Sequence, residues 1–409
     1  MTDTITTPST DRATGGTDAF APHVSDSFGY ENLLDDQQRD IIVRVRAFLQ
    51  EKVAPIADDA WERAEFPHHL ISEFGKLGIV GLSYPEFTDR VQSRLFSGFL
   101  NLEMSRVDPS INTFFGVHSG LALSSIYLCG SAEQRERWIP SMLDFSTVGA
   151  FGLTEPEHGS DVAGGLATTA RREGDTWVLN GAKRWIGNGT FADLVVIWAR
   201  DEETNKVLGF VVEKGTPGFS ATAITGKIAL RTVQNADIVL DDVRIPAANK
   251  LENANSFRDT ARVLKVTRGG VAWGSVGLQM GAYEKARQYV LDRQQFGRPL
   301  AKFQLVQEHL ATMLANITTS LGLVVRLAQL QDAGEDTDDQ AALAKSTATL
   351  AMRDTVARAR EVMGGNGIVL EHGVARFFAD AEAIYSYEGT KEVNQLIVGR
   401  AITGMGAFV

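Results

Sequence analysis

The sequence predicts an α+β protein in three successive parts: a helical region, a β-domain of short strands, and a helical bundle. Three observations carry this. Apolar residues recur at three- and four-residue steps before about residue 150 and again after about residue 255. Between those limits lie short β-type runs punctuated by turn residues. No helix of crossover length separates those runs, which favours an antiparallel sheet or small barrel over a doubly wound fold.

Residues 1–30 read as a mobile tail, rich in Thr, Asp and Gly, with neither a basic start nor an apolar run that would mark a signal peptide. A helical domain is expected over 31–150. Ile41, Val45, Phe48, Leu49 and Val53 mark its first helix, and Ser131 with Gln134 reads as a capping box opening another. The β-domain, 151–255, holds "TWVLNG", "DLVVIWAR", "VLGFVVEKG" and "ADIVLDDVRIP", with turns at Asn180-Gly181, Asn188-Gly189 and Pro217-Gly218. The remainder, 256–409, reads as a four-helix bundle. Phe303, Val306, Leu310, Met313, Ile317, Leu321, Val324 and Leu327 form one long stripe, and the other helices fall near 260–293, 340–363 and 374–402.

Composition narrows the function. With 409 residues, 44% hydrophobic and 22% charged, the chain has room for several cores. A net charge of −11 with no run of Lys and Arg argues against nucleic acid or an anionic membrane as partner. The single cysteine, Cys129, precludes an intramolecular disulfide, fits a reducing cytoplasm and reads as a packed core thiol. No stretch approaches the roughly 18 apolar residues of a membrane span. The nucleotide-binding, P-loop, hydrolase-elbow and zinc-protease motifs are missing, and scattered histidines give no metal site.

Five stretches remain. "FGLTEPEHGSD" (151–161) suits a loop lying along a polar ligand, or a plain connector. "KRWIGNGTF" (183–191) sets an indole beside a Gly-rich turn, or simply a core aromatic between strands. "DRQQFGRPLAKFQ" (292–304) offers an arginine and an aromatic ring between two long helices. "EVMGGNGIV" (361–369) breaks a helix with three glycines. "SYEGTKEV" (386–393) sets one carboxylate between an aromatic residue and a Gly-Thr step, where burial would raise its pKa toward that of a working base; a helix-capping glutamate is the plain alternative.

In this order around a β-domain, the five resemble the acyl-CoA dehydrogenase family over about residues 30–409, nearest to its glutaryl-CoA dehydrogenase and plant-type short-chain acyl-CoA oxidase branch. The resemblance implies a homotetramer, a dimer of dimers, with one FAD per subunit between β-domain and bundle and a neighbouring subunit completing the site. Phe151, Leu153, Thr154, Gly159 and Ser160 would follow the flavin, Ser160 also serving the substrate entrance. Trp185, Ile186 and Gly187 would lie against its ring. Arg293, Gln295, Phe296 and Gln304 would hold the dinucleotide across the dimer contact, joined by Glu361, Gly364, Gly365, Thr390 and Glu392. Arg268 and Tyr387 would border the substrate.

The implied base is Glu388. It would take the α-proton of an acyl-CoA while the β-hydrogen leaves as hydride to the flavin, giving a trans-2-enoyl-CoA. Its backbone N–H and a flavin hydroxyl would bind the thioester oxygen, and Gly389 would supply the bend that lets N–H and carboxylate converge. Electrons would pass to an electron-transferring flavoprotein, in fatty acid metabolism. The alternatives are an oxidase using O2, a non-catalytic flavin or CoA-binding subunit, and a nitroalkane oxidase or flavin monooxygenase of the same architecture. The chain ends without a peroxisomal tripeptide, so a cytoplasmic location is expected.

Three positions depart from the family pattern. Gly187 stands where most members carry Thr, as in the plant-type oxidase. Asn112 stands where glutaryl-CoA dehydrogenase carries the arginine for the distal carboxylate, and a neutral amide cannot replace it. Glutaryl-CoA is therefore disfavoured, and Phe114, Phe115 and Leu121 suit a short or branched acyl chain, or ordinary core packing. Lys265 replaces an Asp or Asn and would meet CoA phosphate or face solvent.

Overall fold

The computed structural model describes residues 20–89 and 91–407. The N-terminal domain comprises α1 (Asp36–Phe48), α2 (Ala57–Arg63), α3 (Leu70–Leu77), α4 (Arg94–Val107), α5 (Pro109–Phe115), α6 (Ser124–Cys129) and α7 (Ala132–Leu143). The start signals are chemical. Asp35 and Gln38 form a capping box on α1, Ser93 accepts from Phe96 N on α4, and Ser131 and Gln134 form the expected box on α7. Between α5 and α6, Gly116–Leu123 winds as a π-helix, a form that recurs at functional sites.

The tail expected over 1–30 lies partly outside the described residues, and from Phe20 on it is tied down. His23 lies 2.8 Å from Glu103, Ser25 Oγ donates to Glu284 at 2.7 Å, and Arg46 joins Glu31 and Glu103. Single polar anchors of this kind leave no periodic trace in a Thr/Asp/Gly-rich stretch.

Seven strands build the middle domain: β1 (Gly149–Gly152), β2 (Thr169–Glu173), β3 (Thr176–Ile186), β4 (Leu194–Asp201), β5 (Val207–Glu213), β6 (Phe219–Ala223) and β7 (Ala236–Pro246), with one helical turn, α8 (Val162–Gly165), before β2. Their order is β1-β4-β2-β3-β7-β6, with β5 on the other edge of β4. The sheet is mixed, which corrects the antiparallel expectation. β1 runs parallel to the first half of β4, and β2 parallel to its last residues. The β2–β3 hairpin itself acts as the crossover between β1 and β4, so parallel pairing arises here without a long connecting helix.

The C-terminal domain holds α9 (Phe257–Asp292), α10 (Gln304–Ala333), α11 (Asp338–Val362), α12 (Val374–Ser386) and α13 (Lys391–Thr403). The fourth helix expected over 374–402 is thus two helices, broken at Tyr387–Thr390, where Glu388 and Gly389 take φ of 53° and 87°. α10 has the length and hydropathy of a membrane span, yet its apolar stripe packs into the bundle against α9, α11 and α4. α9 is the central element. A Cβ at Gly277 would fall 2.2 Å from the Leu102 carbonyl oxygen, so glycine there is what lets α4 and α9 approach so closely.

Two buried charges join the parts. Asp380 on α12 accepts from the Trp61 indole at 2.7 Å and from Leu230 N at 2.6 Å, touching all three domains. Arg376, also on α12, pairs with Asp58 at 2.9 Å and Asp108 at 3.5 Å. Cys129 is fully buried, and burial pushes its thiol up to about 11.

Candidate active site

Where the three domains meet there is a cavity of about 1030 Å³. Glu388 lies on its wall, in the break between α12 and α13. Two glycine-compatible φ values in succession turn the chain there, and Thr390, whose hydroxyl accepts from Val393 N, restarts the helix. One carboxylate oxygen of Glu388, Oε2, is buried with no hydrogen-bond partner, and its N–H meets no acceptor among the described residues. Burial pushes its carboxyl above the ordinary range, against the Thr267 hydroxyl and the Lys345 and Arg268 cations, which draw it down. Burial wins. A carboxylate left poor in partners beside a cavity is a group poised to accept a proton.

The residues expected around it divide into two sets. Phe151, Leu153, Thr154, Gly159, Ser160, Trp185, Ile186, Gly187, Arg268, Tyr387, Gly389, Thr390 and Asn112 line the same cavity as Glu388. Arg268 stands half-buried without an ion pair among the described residues, and burial lowers its pKa. Asn112 is buried, with Oδ1 unpartnered. Trp185 adopts φ 66° and leaves its indole 51% exposed beside the cavity, hardly the packing of a core aromatic. Its ring stacks under Arg184, 5.2 Å away, and Arg184 pairs with Asp237 at 2.9 Å.

The second set lies elsewhere. Arg293, Gln295, Phe296 and Gln304 are exposed around a small hairpin, Gln294–Gln295 with Arg298–Pro299, and Phe296 at its tip is 92% exposed with φ 52°. Glu361, Gly364 and Gly365 are exposed at the end of α11. Tyr289, one turn before the hairpin, receives a hydrogen bond from Asn366 at 2.9 Å, which brings these two stretches to one end of the bundle. From Arg268 to Arg293 α9 extends roughly 38 Å, so this cluster is remote from the cavity of its own chain. Glu392 is exposed in the first turn of α13, outside the cavity lining. Lys265, its side chain 35% exposed, pairs with Asp336 at 3.2 Å and Asp338 at 3.7 Å.

Several determinants of the site have no motif of their own. Glu155, inside the 151–161 loop, accepts from Ala167 N at 2.6 Å, Thr168 N at 2.8 Å and Lys183 Nζ at 2.8 Å. Lys183, buried so that its pKa falls to about 8, also donates to the Leu153 carbonyl at 3.1 Å. One internal ion pair thus fixes both ligand-facing loops to each other. Asn188 ties the second loop to the helical domain through the Phe114 carbonyl, at 3.2 Å, and to the start of β1 through the Gly149 carbonyl, at 3.3 Å. The only sequence signal for these contacts was that Glu155 and Lys183 sit inside the two motifs.

The cavity suits an isoalloxazine beside an acyl thioester. It combines main-chain groups at 151–154 and 185–187, an exposed indole, and room opposite Gly187, where a side chain would already meet Val117. The fold and this site define an FAD-dependent oxidoreductase acting on CH–CH bonds. Three family profiles match in sequence: the acyl-CoA dehydrogenase N-terminal domain over 35–146, the middle domain over 150–243 and the C-terminal domain over 257–403. The chain belongs to the acyl-CoA dehydrogenase family.

It is 33% identical over 374 residues to an acyl-CoA dehydrogenase of Bacillus subtilis (strain 168), covering 90% of this chain and 98% of that one. It is 32% identical over 358 residues to the mitochondrial short-chain specific acyl-CoA dehydrogenase of Mus musculus, covering 86% and 87%. Among solved structures it resembles glutaryl-CoA dehydrogenase from Mycobacterium smegmatis at TM-score 0.90 and 36% identity, covering 95% of this chain and all of that one. A glutaryl-CoA dehydrogenase from Mycobacterium smegmatis solved in complex with FADH2 is similar at TM-score 0.90 and 34% identity, covering 95% of this chain and all of that one. Butyryl-CoA dehydrogenase from Megasphaera elsdenii follows at TM-score 0.86 and 31% identity, covering 90% and 98%.

Proposed function

We propose that Glu388 is the base of an α,β-dehydrogenation that converts a short or branched acyl-CoA to its trans-2-enoyl-CoA, with electrons leaving to an electron-transferring flavoprotein. The observation that carries the reading is the carboxyl of Glu388, raised in pKa by burial and with Oε2 unpartnered, in a cavity shared with Trp185, Gly187 and Arg268. FAD, when bound, supplies the acceptor for the hydride that leaves the β-carbon. The chain supplies the rest. Glu388 removes the α-proton, and a positioned base of this kind contributes about 10²–10⁴-fold. Its free N–H is available to hydrogen-bond the thioester oxygen as negative charge gathers there. Leu153, Thr154 and Trp185, held by the Glu155–Lys183 pair, support the flavin.

The exposed cluster of Arg293, Phe296 and the Gly364–Gly365 turn is too far along α9 to serve the cavity of its own chain, which supports a second copy's FAD as its ligand and hence a dimer, the unit of the homotetramer that the family resemblance implies. A cytoplasmic location accords with the reduced, buried Cys129. Asn112, neutral and buried, argues against glutaryl-CoA.

One observation favours a second reading of the acceptor. Gly187 brings no hydroxyl to the flavin, as in the plant-type oxidase, so direct use of O2 is the alternative. Anaerobic mixing with a panel of CoA thioesters, with flavin absorbance followed, tests the substrate. Peroxide formation in air, set against reduction of an electron-transferring flavoprotein, tests the acceptor. Bleaching by short or branched thioesters without peroxide is expected; stoichiometric peroxide would make the protein an oxidase.

A further inference from the structure

Lys345 lies on α11 with 1% of its surface exposed, and it does not line the cavity. A buried ammonium must have its protons accepted. Here Nζ donates to the main-chain carbonyls of Tyr387 and Gly389, the residues on either side of Glu388. Gly389 O also accepts from Asn394 Nδ2 at 2.8 Å, and the same amide reaches Thr390 O at 2.9 Å. The bracketed residue holds φ 53°. Such a conformation is strained for a residue with a Cβ and survives only where surrounding contacts enforce it. Two carbonyls converging on one point would repel each other without a cation between them.

We propose that Lys345 is a positioning residue for proton transfer: by holding the Tyr387 and Gly389 carbonyls toward the bundle interior, it turns the N–H and carboxylate of Glu388 toward the substrate. This rests on the reading of Glu388 as base and adds a residue that never meets substrate or cofactor. The charged groups whose fields reach this point are Glu388 itself and Arg268 on α9, with Asp338 at the start of α11 acting on Arg268. Arg268 lies beside the cavity and donates to neither carbonyl, so it cannot substitute for the lysine in holding the turn.

The test uses the FAD-loaded holoenzyme in three forms: wild type, Lys345→Met and Lys345→Gln. Each is mixed anaerobically with saturating butyryl-CoA across a range of pH, and thioester binding is measured separately. Lys345→Met should bind FAD and thioester as wild type does, yet reduce its flavin about 10²-fold more slowly, the scale of a small misplacement of a reacting group. The acidic limb of its pH profile should move upward, because Glu388 loses a neighbouring positive charge. Lys345→Gln still offers two N–H donors to the carbonyls but no charge, so it should recover most of the rate while keeping the displaced limb.

Wild-type rate and pH profile in Lys345→Met would overturn the assignment. So would a Lys345→Gln no faster than Lys345→Met, or loss of FAD from both variants, which would make Lys345 a folding residue only. Loss of wild-type flavin reduction in Glu388→Gln tests Glu388 as base; the ratio of the Lys345 variants to wild type tests Lys345.

Discussion

Gly187 faces Val117 so closely that a Cβ on the glycine would lie 2.9 Å from Val117 Cγ2. The family's usual threonine is therefore excluded by a neighbour on the π-helical turn, and the departure seen in the sequence is a packing change between two domains. Gly187→Thr should lower stability by about 1–3 kcal/mol through overpacking and weaken FAD retention. Val117→Ala in the same chain should restore both. Thermal melts with and without added FAD check this; a single Gly187→Thr variant as stable as wild type would contradict it.

The Glu155–Lys183 pair is buried on both sides, with side chains 3% and 0% exposed. Removing one partner leaves a charge stranded, at a cost of about 3–5 kcal/mol. Lys183→Met should therefore lose FAD on gel filtration even though Lys183 does not line the cavity. Retention of full flavin would show that the two loops are held by something else.

Two of the buried groups that titrate in the acid range act on stability with opposite sign. Burial pushes Asp380 up to about 7, so the folded state holds a proton there that the unfolded chain has lost above its ordinary 3.8. Its contribution therefore falls as pH rises from about 4 to 7. Burial lowers His118 to about 4, so between 4 and 6.5 the unfolded chain is the one that binds the proton, and that contribution grows as pH rises. Asp380→Asn keeps an oxygen for Trp61 and Leu230 and removes the first term. Its melting temperature should climb more steeply between pH 4 and 7 than that of the wild type. An unchanged slope would mean Asp380 does not titrate there.

If the proposed function holds, the buried Asn112 on the cavity wall decides how a distal carboxylate is received. Wild type should turn over butyryl- or isobutyryl-CoA in preference to glutaryl-CoA, and Asn112→Arg should shift the ratio toward glutaryl-CoA by supplying a bidentate partner for the distal carboxylate. Steady-state assays on the three thioesters decide it; a wild type that prefers glutaryl-CoA would refute it.

The order of elements and the Ser131–Gln134 cap were legible because they rest on local periodicity and local chemistry. So was the set of loops that meet at the cavity, since each carries its own turn residues. What escaped were contacts between distant positions. The parallel β1–β4 pairing needs the register of strands about forty-five residues apart. Lys345 reaches carbonyls 42 and 44 residues on, and nothing near it in the chain marks it. Lys265 looked available for a ligand until the α10–α11 turn brought two aspartates to it. The bend at Gly389 was expected, but the split of 374–402 into two helices was not, because the interruption spans only four residues.

The most direct test of the account is single-turnover reduction of Glu388→Gln. The amide keeps the size of the side chain and cannot accept the α-proton. Glu388→Gln should give a yellow, folded protein that retains FAD and binds butyryl-CoA, with flavin bleaching slowed by about 10²–10⁴-fold. Bleaching at the wild-type rate would remove Glu388 from the chemistry.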